Sequence, residues 1–407
     1  MKHILLLSLL AAASSLAAQT TNGLIAYYPF DGTLTDVTGN SANTGIPSGD
    51  VLFLCGVDET ALAFNGATDQ VNIAGPLTEE FNVENFSLSF HFKSTGDAGT
   101  QYLLSKRRTD CAGDFAFFIR YRAATRTLNA VFAETPNKSV SLIHQLPDDR
   151  CWFHVALVRD ENRIKLFIDG QSVQEGVTVG RINIENDGDL IIGNTDCLGP
   201  NEAPFDGLMD ELRFYDRVLG VDEIRNLNFR PDKIQTPDTL IFLGNTLDIE
   251  LTNTCATEFR WSPMEGLSDP NSPEPTVTGL TPGVITYTLE MTHDLTGCTA
   301  LDSISINVID PDDLDCRSIF LPTAFTPNND ELNDTYGISN PFALQELLSF
   351  EIFDRWGGRV FFTTDPFERW DGSVNGTPLN SGVLLYKIVY RCQEEELVKT
   401  GSVTIMR

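Results

Sequence analysis

The chain has 407 residues, 42% hydrophobic and 21% charged, which is enough apolar material for packed cores. At about 100–200 residues per domain, that length suggests two to four domains. Acidic residues outnumber basic ones 57 to 28, a formal charge of −29, which argues against nucleic acid or anionic lipid as the main partner.

At the start, Lys2 supplies a short positive region, Ile4–Leu16 an apolar run, and Ser15-Leu16-Ala17-Ala18-Gln19 a small-residue cleavage region. This reads as a signal peptide over 1–18, cleaved after Ala17 or Ala18. The apolar run is shorter than the roughly 20 residues a spanning helix needs, and no later segment comes close, so no transmembrane segment is expected. Eight cysteines are present and no CxxC, so zinc ribbons and thioredoxin-type sites find no support. An even number of widely spaced cysteines in an exported chain reads as structural disulfides.

From 19 to 230 short strands follow one another. In Phe86-Ser87-Leu88-Ser89-Phe90-His91-Phe92-Lys93 every second residue is apolar, the pattern of a half-buried strand. Similar runs are Asp114–Tyr121, Thr127–Glu134, Ser139–Gln145, Trp152–Asp160 and Arg163–Gly170, separated by turns such as Asp169-Gly170 and Asn186-Asp187-Gly188. Only Gly220–Leu227 looks helical, with Asp222 and Glu223 in its first turn. So many strands over about 200 residues predict an all-β two-sheet sandwich or jelly roll.

Five motifs then fall in order: Gly23-Leu24-Ile25-Ala26-Tyr27-Tyr28-Pro29-Phe30-Asp31-Gly32, Ala61-Leu62-Ala63-Phe64-Asn65-Gly66, Trp152-Phe153-His154-Val155-Ala156, Lys165-Leu166-Phe167-Ile168-Asp169-Gly170 and Phe205-Asp206-Gly207-Leu208-Met209-Asp210-Glu211-Leu212-Arg213-Phe214-Tyr215. Together they resemble the laminin-G-like, concanavalin-type jelly rolls. The resemblance implies a module that binds carbohydrate or protein at the sandwich face or rim, often with a structural calcium. Asp31, Asp36 and Asn40 in one loop and Asp210 and Glu211 on a late strand are the calcium candidates. Calcium takes six to eight hard oxygens in flexible geometry, and the family holds ions near these two regions. The same residue types also simply make turns. Sugar rings would be met by exposed aromatics, with Tyr27, Tyr28, Tyr102, Phe115 and Tyr121 as candidates, although aromatics in such strands also build cores.

Residues 231–315 carry fifteen Asp and Glu and, as basic residues, only Lys233 and Arg260. Thr239–Leu243, Leu247–Leu251, Ile285–Met291 and Ser303–Ile309 read as strands. Their length, with Cys255, Cys298 and Trp261, resembles an Ig-like or PKD-like sandwich in which the tryptophan packs on a Cys255–Cys298 bridge. Asp310-Pro311-Asp312-Asp313 reads as a linker.

Residues 316–407 contain Phe325-Thr326-Pro327-Asn328-Asn329-Asp330-Glu331-Leu332-Asn333-Asp334, Phe350-Glu351-Ile352-Phe353-Asp354-Arg355-Trp356-Gly357-Gly358-Arg359-Val360-Phe361, Trp370-Asp371-Gly372 and Asn380-Ser381-Gly382-Val383-Leu384-Leu385-Tyr386-Lys387-Ile388. This closely resembles the type B C-terminal sorting domain of type IX secretion, also called the gliding-motility-associated C-terminal domain, of Bacteroidota. That family usually has Gly at the positions of Asn329 and Glu331. The resemblance implies a small β-sandwich, export to the cell surface or medium, and the type IX secretion machinery as a partner.

One disulfide per small domain gives Cys255–Cys298 and Cys316–Cys392. Between Cys111 and Cys151 three strands intervene, which puts those two at opposite ends and leaves Cys111 with Cys197 or Cys55. The jelly-roll resemblance favours Cys111–Cys197, because loops like 107–113 and 194–204 meet at one rim in that family. Cys55–Cys151 then takes the remaining two.

The jelly-roll fold also hosts glycosidases, whose paired carboxylates are commonly written Glu-x-Asp-x-x-Glu on one strand. No such string occurs. Asp210 and Glu211, adjacent on a strand, should point to opposite faces. There is no His-Glu-x-x-His, Gly-x-Ser-x-Gly or phosphate-binding glycine loop. His91, His144, His154 and His293 lack metal-ligand spacing, and His91 and His154 read as solvated or hydrogen-bonded strand residues. The sequence therefore reads as an exported, non-catalytic binding or adhesion protein for a glycan or protein ligand. The alternative is a polysaccharide-degrading enzyme with a carboxylate site assembled from distant strands, and the blander reading is a surface component with no specific ligand.

Overall fold

The computed structural model describes residues 21–79, 82–97, 99–293, 297–328, 333–374, 376–392 and 395–406. The expected signal peptide, and residues 329–332 of the expected sorting signal, lie outside them. The fold is nearly all β, and the chain divides into two compact units. Unit 1 comprises Met1–Asp238, Asp248–Val277 and Thr286–Ile304; unit 2 comprises Thr239–Leu247, Thr278–Ile285 and Ser305–Arg407. This division does not follow boundaries at 230 and 315: the middle stretch is shared between the units.

In unit 1 the strands are β1 (Leu24–Tyr28), β2 (Ile46–Ser48), β3 (Leu52–Cys55), β4 (Thr60–Asn65), β5 (Gln70–Ile73), β6 (Phe86–Ser94), β7 (Thr100–Lys106), β8 (Ala116–Arg122), β9 (Thr127–Thr135), β10 (Lys138–Gln145), β11 (Phe153–Asp160), β12 (Arg163–Ile168), β13 (Gln171–Val177), β14 (Leu190–Ile192), β15 (Glu202–Pro204) and β16 (Asp206–Tyr215). A short helix, α1 (Val221–Asn226), follows. One eight-stranded sheet runs β13-β12-β11-β6-β16-β4-β3 with β1 on β16, and the other runs β10-β9-β8-β7-β14-β5-β2 with β15 on β7. These will be called the first and second sheets. Their inner faces interdigitate as alternation requires. Leu88, Phe90 and Phe92 of β6, Val155 and Leu157 of β11, and Met209, Leu212 and Phe214 of β16 meet Phe117, Ile119 and Tyr121 of β8 and Leu128, Ala130 and Phe132 of β9. Phe117 and Phe132 tilt against each other at 4.8 Å between centroids and both meet Phe86.

The remaining strands, numbered on, are β17 (Thr239–Phe242), β18 (Thr246–Asp248), β19 (Glu258–Ser262), β20 (Thr276–Thr278), β21 (Gly283–His293), β22 (Cys298–Ile309), β23 (Ala324–Phe325), β24 (Glu346–Phe353), β25 (Arg359–Thr363), β26 (Ser373–Val374), β27 (Thr377–Pro378), β28 (Gly382–Cys392) and β29 (Glu395–Ile405). In unit 2 a five-stranded sheet, β23-β29-β28-β24-β25, packs Phe325, Tyr336, Phe350, Trp370 and Ile388 into one core. Tyr336 and Trp370 exchange both backbone hydrogen bonds at 2.8 Å. The Asp354-Arg355-Trp356-Gly357-Gly358 motif is a tight turn. Asp354 Oδ1 accepts from the N–H groups of Trp356 and Gly358, and Gly357 sits at φ 82°, a conformation that favours glycine.

The disulfides are Cys111–Cys197, Cys316–Cys392, Cys55–Cys255 and Cys151–Cys298. The expected Cys55–Cys151 and Cys255–Cys298 pairs do not form. The reason is packing: within unit 1 the middle stretch folds back on the jelly roll. Cys255 thus lies 5.8 Å (Cα–Cα) from Cys55, and Cys298 lies 5.9 Å from Cys151, both inside the bridging range. Asn253 Nδ2 donates to Val57 O beside the first bridge. Trp261 is buried as expected, but its indole N–H donates to Ser272 O at 2.9 Å rather than marking an Ig-type bridge.

Non-reducing peptide mapping should link Cys55 to Cys255 and Cys151 to Cys298; a Cys255–Cys298 peptide would contradict the packing. Replacing Cys316 and Cys392 together by Ser, which opens a loop of sequence separation 76, should lower the stability of unit 2 by about 4–5 kcal/mol in the chain-entropy account. Denaturant unfolding measures it.

Candidate functional site

The outer faces of the two sheets have different fates. On the first sheet the polar alternates of β6, namely Ser87, Ser89, His91 and Lys93, are buried and not solvated. Leu219, Ile224 and Leu227, from α1 and its flanks, pack on Ala156, Val158, Phe167 and Tyr215. Phe229 stands edge-on to His91. Farther along, Lys93 Nζ lies 2.6 Å from His293 Nδ1, and His293 Nε2 lies 3.1 Å from Asp232 Oδ1, which also accepts from Thr254. With Lys93 donating to Nδ1, the imidazole keeps its proton on Nε2 for Asp232. Burial pulls the Lys93 amine down to about 8.

His91 and His154, opposite each other on β6 and β11, have ring centroids 4.8 Å apart, and Ser89 Oγ lies 2.7 Å from His154 Nε2. Burial holds both imidazoles well below the ordinary value, His154 at about 3. Of the solvated or hydrogen-bonded reading of these two histidines the hydrogen-bonded half holds, His91 Nε2 accepting from Phe229 N, and the solvated half does not, because a covered face takes their water away. A cavity of about 530 Å³ lies on this side, but two of its cations are already paired: Arg150 with Asp169 at 2.9 Å and Lys233 with Asp302 at 3.2 Å.

The second sheet keeps its outer face open over β8 and β9, where residues largely alternate between buried and half-exposed or exposed, and over β10, where only Leu142 is buried. Register arranges this face in rows. Thr100, Arg122, Thr127 and Gln145 form one, Tyr102, Arg120, Asn129 and Ile143 the next, and Ser105, Phe118, Val131 and Ser141 the third. A register shift between Tyr102 and Leu104 leaves Leu103 and Leu104 both in the core while Tyr102 pairs with Arg120, the re-aiming a bulge provides.

Arg120 lies 4.8 Å from the Phe118 ring centroid and Arg107 lies 5.7 Å from it. Tyr102 meets the same ring edge-on at 5.7 Å. Glu202 ties the cluster: it accepts from Arg120 Nη1 at 2.8 Å, from the Tyr102 hydroxyl at 3.1 Å and from the Gly199 N–H at 2.8 Å. Burial and then Glu202 push the Tyr102 phenol up. Cys111–Cys197 clamps loops 107–113 and 194–204 at this rim, and Arg107 donates to Cys197 O at 3.1 Å. Beside the cluster a groove of about 250 Å³ is lined by Thr100, Arg120, Arg122, Thr127, Asn129 and Ile143. The arrangement offers fixed hydrogen-bond donors beside an aromatic ring.

The sequence candidates divide. Tyr102 joins this cluster through its hydroxyl, but its ring is buried and only 1% exposed, so it is not the exposed aromatic the sequence suggested. Tyr28 and Tyr121 are core, and the Tyr28 hydroxyl donates to Asn43 O. Phe115 is half-buried at φ 47°, and Tyr27 lies under Arg213 at 4.1 Å.

The five calcium candidates are not gathered around one point. Asp36 Oδ1 accepts from Tyr27 N, Thr38 N and Thr38 Oγ1, and Oδ2 from Asn43. Asp31 accepts from Thr60 N, and Asn40 caps a 3-10 turn through Ala42 N. Asp210 accepts from the N–H groups of Val57, Asp58 and Glu211, while Glu211 pairs with Arg213 and accepts from the Tyr27 hydroxyl at 2.7 Å. In this structure these oxygens accept N–H and O–H donors, as turn and strand anchors do. Asp210 and Glu211 do not follow simple alternation: the register shifts between Asp210 and Arg213, and Glu211 takes φ 58°. Both are buried, which pushes both carboxyls up, and the Glu211 charge adds to the effect on Asp210. Among the described residues the one group with metal-ligand proximity is Cys151, Asp232 and His293, and Cys151 is in a disulfide.

Residues 65–225 match the laminin-G model of the concanavalin A-like lectin/glucanases superfamily, and 319–405 match the CHU_C type IX secretion signal domain. The chain therefore carries a concanavalin-like domain followed by a type IX sorting signal, and it is exported. The comparison with curated proteins found no match. Among solved structures, domain 4 of AbnA, a GH43 extracellular arabinanase from Geobacillus stearothermophilus, in complex with arabinotriose, is 20% identical with a TM-score of 0.39, covering 50% of this chain and 98% of that one. The Ruminococcus gnavus IT-sialidase CBM40 is 19% identical with a TM-score of 0.36, covering 41% of this chain and 96% of that one. No helix among the described residues is long and apolar enough to cross a membrane.

The buried imidazoles set a pH dependence. Their folded pKa values lie below the ordinary 6.5, so their contribution is complete above about pH 6.5. It is lost as pH falls toward 3, because only the unfolded chain takes up the proton. By pH 5 this costs about 2 kcal/mol for His154. Denaturant unfolding at pH 7.5 and pH 5 should show the loss, and in His154→Asn the loss should be smaller by one such increment.

Proposed function

We propose that the protein is an exported glycan-binding module without hydrolytic activity, and that the open face of the second sheet around Tyr102, Phe118, Arg107, Arg120 and Glu202 receives the sugar. The observation that carries this reading is the contrast between the faces: one is closed by its own chain, the other has a half-buried ring held by two guanidinium groups, one of which also lines the polar groove beside it. A sugar uses an aromatic face for its C–H surface and surrounding donors for its hydroxyls. The match of 65–225 to a superfamily of lectins and glucanases supports the same reading. Against hydrolysis stands the chemistry of Glu202, the carboxylate of the cluster. It is engaged by Arg120, Tyr102 and a backbone N–H, whereas glycosidases need two carboxyl groups flanking the bond. The C-terminal domain then serves as the address that brings this face outside the cell through the type IX machinery.

A glycan array probed with the mature chain should give binding without release of reducing sugar, and Phe118→Ala should weaken it at least tenfold, about 1.4 kcal/mol. Release of sugar from a polysaccharide panel would favour the degradative enzyme instead. A chain ending at Asp315 should remain in the periplasm; its normal appearance outside would remove the role given to residues 316–407.

A further inference from the structure

The chain is strongly acidic, with 57 Asp and Glu, yet from Phe115 to Ala133 it holds Arg120, Arg122 and Arg126 and no acidic residue. Those residues are β8, its connection to β9 and β9 as far as Ala133, just short of Glu134, and these strands floor the groove. We propose that this groove takes an acidic polysaccharide, with a carboxylate or sulfate of the sugar seated on Arg122 beside Arg120. The proposal rests on the glycan-binding reading above and names the ligand class of that site.

The three arginines are not equivalent. Arg126 Nη2 pairs with Asp148 at 3.0 Å, and Arg120 Nη1 pairs with Glu202 at 2.8 Å, so each has its charge compensated. Arg122 is exposed, lies between Thr100 and Thr127 in its row, and has no carboxylate partner among the described residues. It is the uncompensated cation of the groove. Arg120 adds a buried Nε without a hydrogen-bond partner. A guanidinium presents N–H donors in a planar fork that fits a carboxylate or sulfate oxygen pair and meets a hydroxyl less well.

Thr100, Thr127 and Asn129 line the groove with groups that can bond sugar hydroxyls, and Ile143, 54% exposed, supplies an apolar edge. The acidity of the rest of the chain does not forbid this. At 0.1 M salt, exposed charges beyond about 10 Å are largely screened, so the local patch decides the sign at contact. The same screening makes the interaction salt-sensitive.

The test uses the full mature chain in affinity electrophoresis and titration calorimetry against alginate for carboxylate, carrageenan for sulfate, and laminarin and arabinan as neutral polymers. The expected result is binding to one or both acidic polymers, with alginate against carrageenan telling which anion is read. Raising salt from 50 to 500 mM should weaken it at least tenfold. Arg122→Gln should weaken it at least tenfold, with partial recovery in Arg122→Lys. Arg122 is exposed, so the variants should melt as the parent does. If a neutral polymer binds, insensitive to salt and to Arg122→Gln but lost in Phe118→Ala, the acidic-ligand proposal is overturned and the glycan-binding reading stands. If no polymer of either kind binds, both fall.

Discussion

Closure of the outer face of the first sheet is the constraint on which the rest of unit 1 depends. A sandwich strand with apolar and polar alternates ordinarily gives its polar side to water. Here β6 and β11 give it to protein, and His91, His154, Lys93 and Arg213 are buried with it. Such groups are tolerable in an interior only when each is neutral or paired. The structure meets that condition group by group. The imidazoles stay neutral, Lys93 leans on His293 and Asp232, and Arg213 takes Glu211 and the face of Tyr27.

Two disulfides keep that polar layer shut. Cys55–Cys255 and Cys151–Cys298 span sequence separations of 200 and 147, so they hold together segments that the unfolded chain would leave far apart. Cross-links of that reach restrict the unfolded ensemble most, and they suit an exported chain that meets an oxidising environment. The unit 1 portions of the middle stretch, Asp248–Val277 and Thr286–Ile304, therefore belong with the sandwich. In consequence the outer face left open in unit 1 is that of the second sheet. There Cys111–Cys197 fixes the rim and a bulge aims the buried Tyr102 at Glu202 and Phe118.

Unit 2 solves a different problem with ordinary means. Its signature residues are those of turns and of an aromatic core: Asp354 organises the turn that Gly357 permits, and Trp370 and Tyr336 lock two segments by paired backbone bonds. An address has to be recognisable and independently ordered more than it has to be chemically active, and a small core stapled by Cys316–Cys392 supplies that order.

The sequence by itself determined the β character, the positions of several jelly-roll strands (β6, β8 to β12), the helix within 220–227 and the sorting domain. Each of these is written locally, in alternation, turn residues and short motifs. It could not tell which polar alternates meet water. Ser89, His91 and Lys93 alternate with phenylalanines as any half-buried strand does, and only the segment that packs over them, about 130 to 200 residues farther along, decides that they are buried. For the same reason it mispaired four cysteines, since pairing within each domain assumed that the middle stretch stood alone. The arginine groove had a trace in the acid-free stretch 115–133, hidden by the average charge of −29. Tertiary structure decided the site because a β-strand fixes only which side chains share a face, whereas exposure depends on what the rest of the chain lays upon that face.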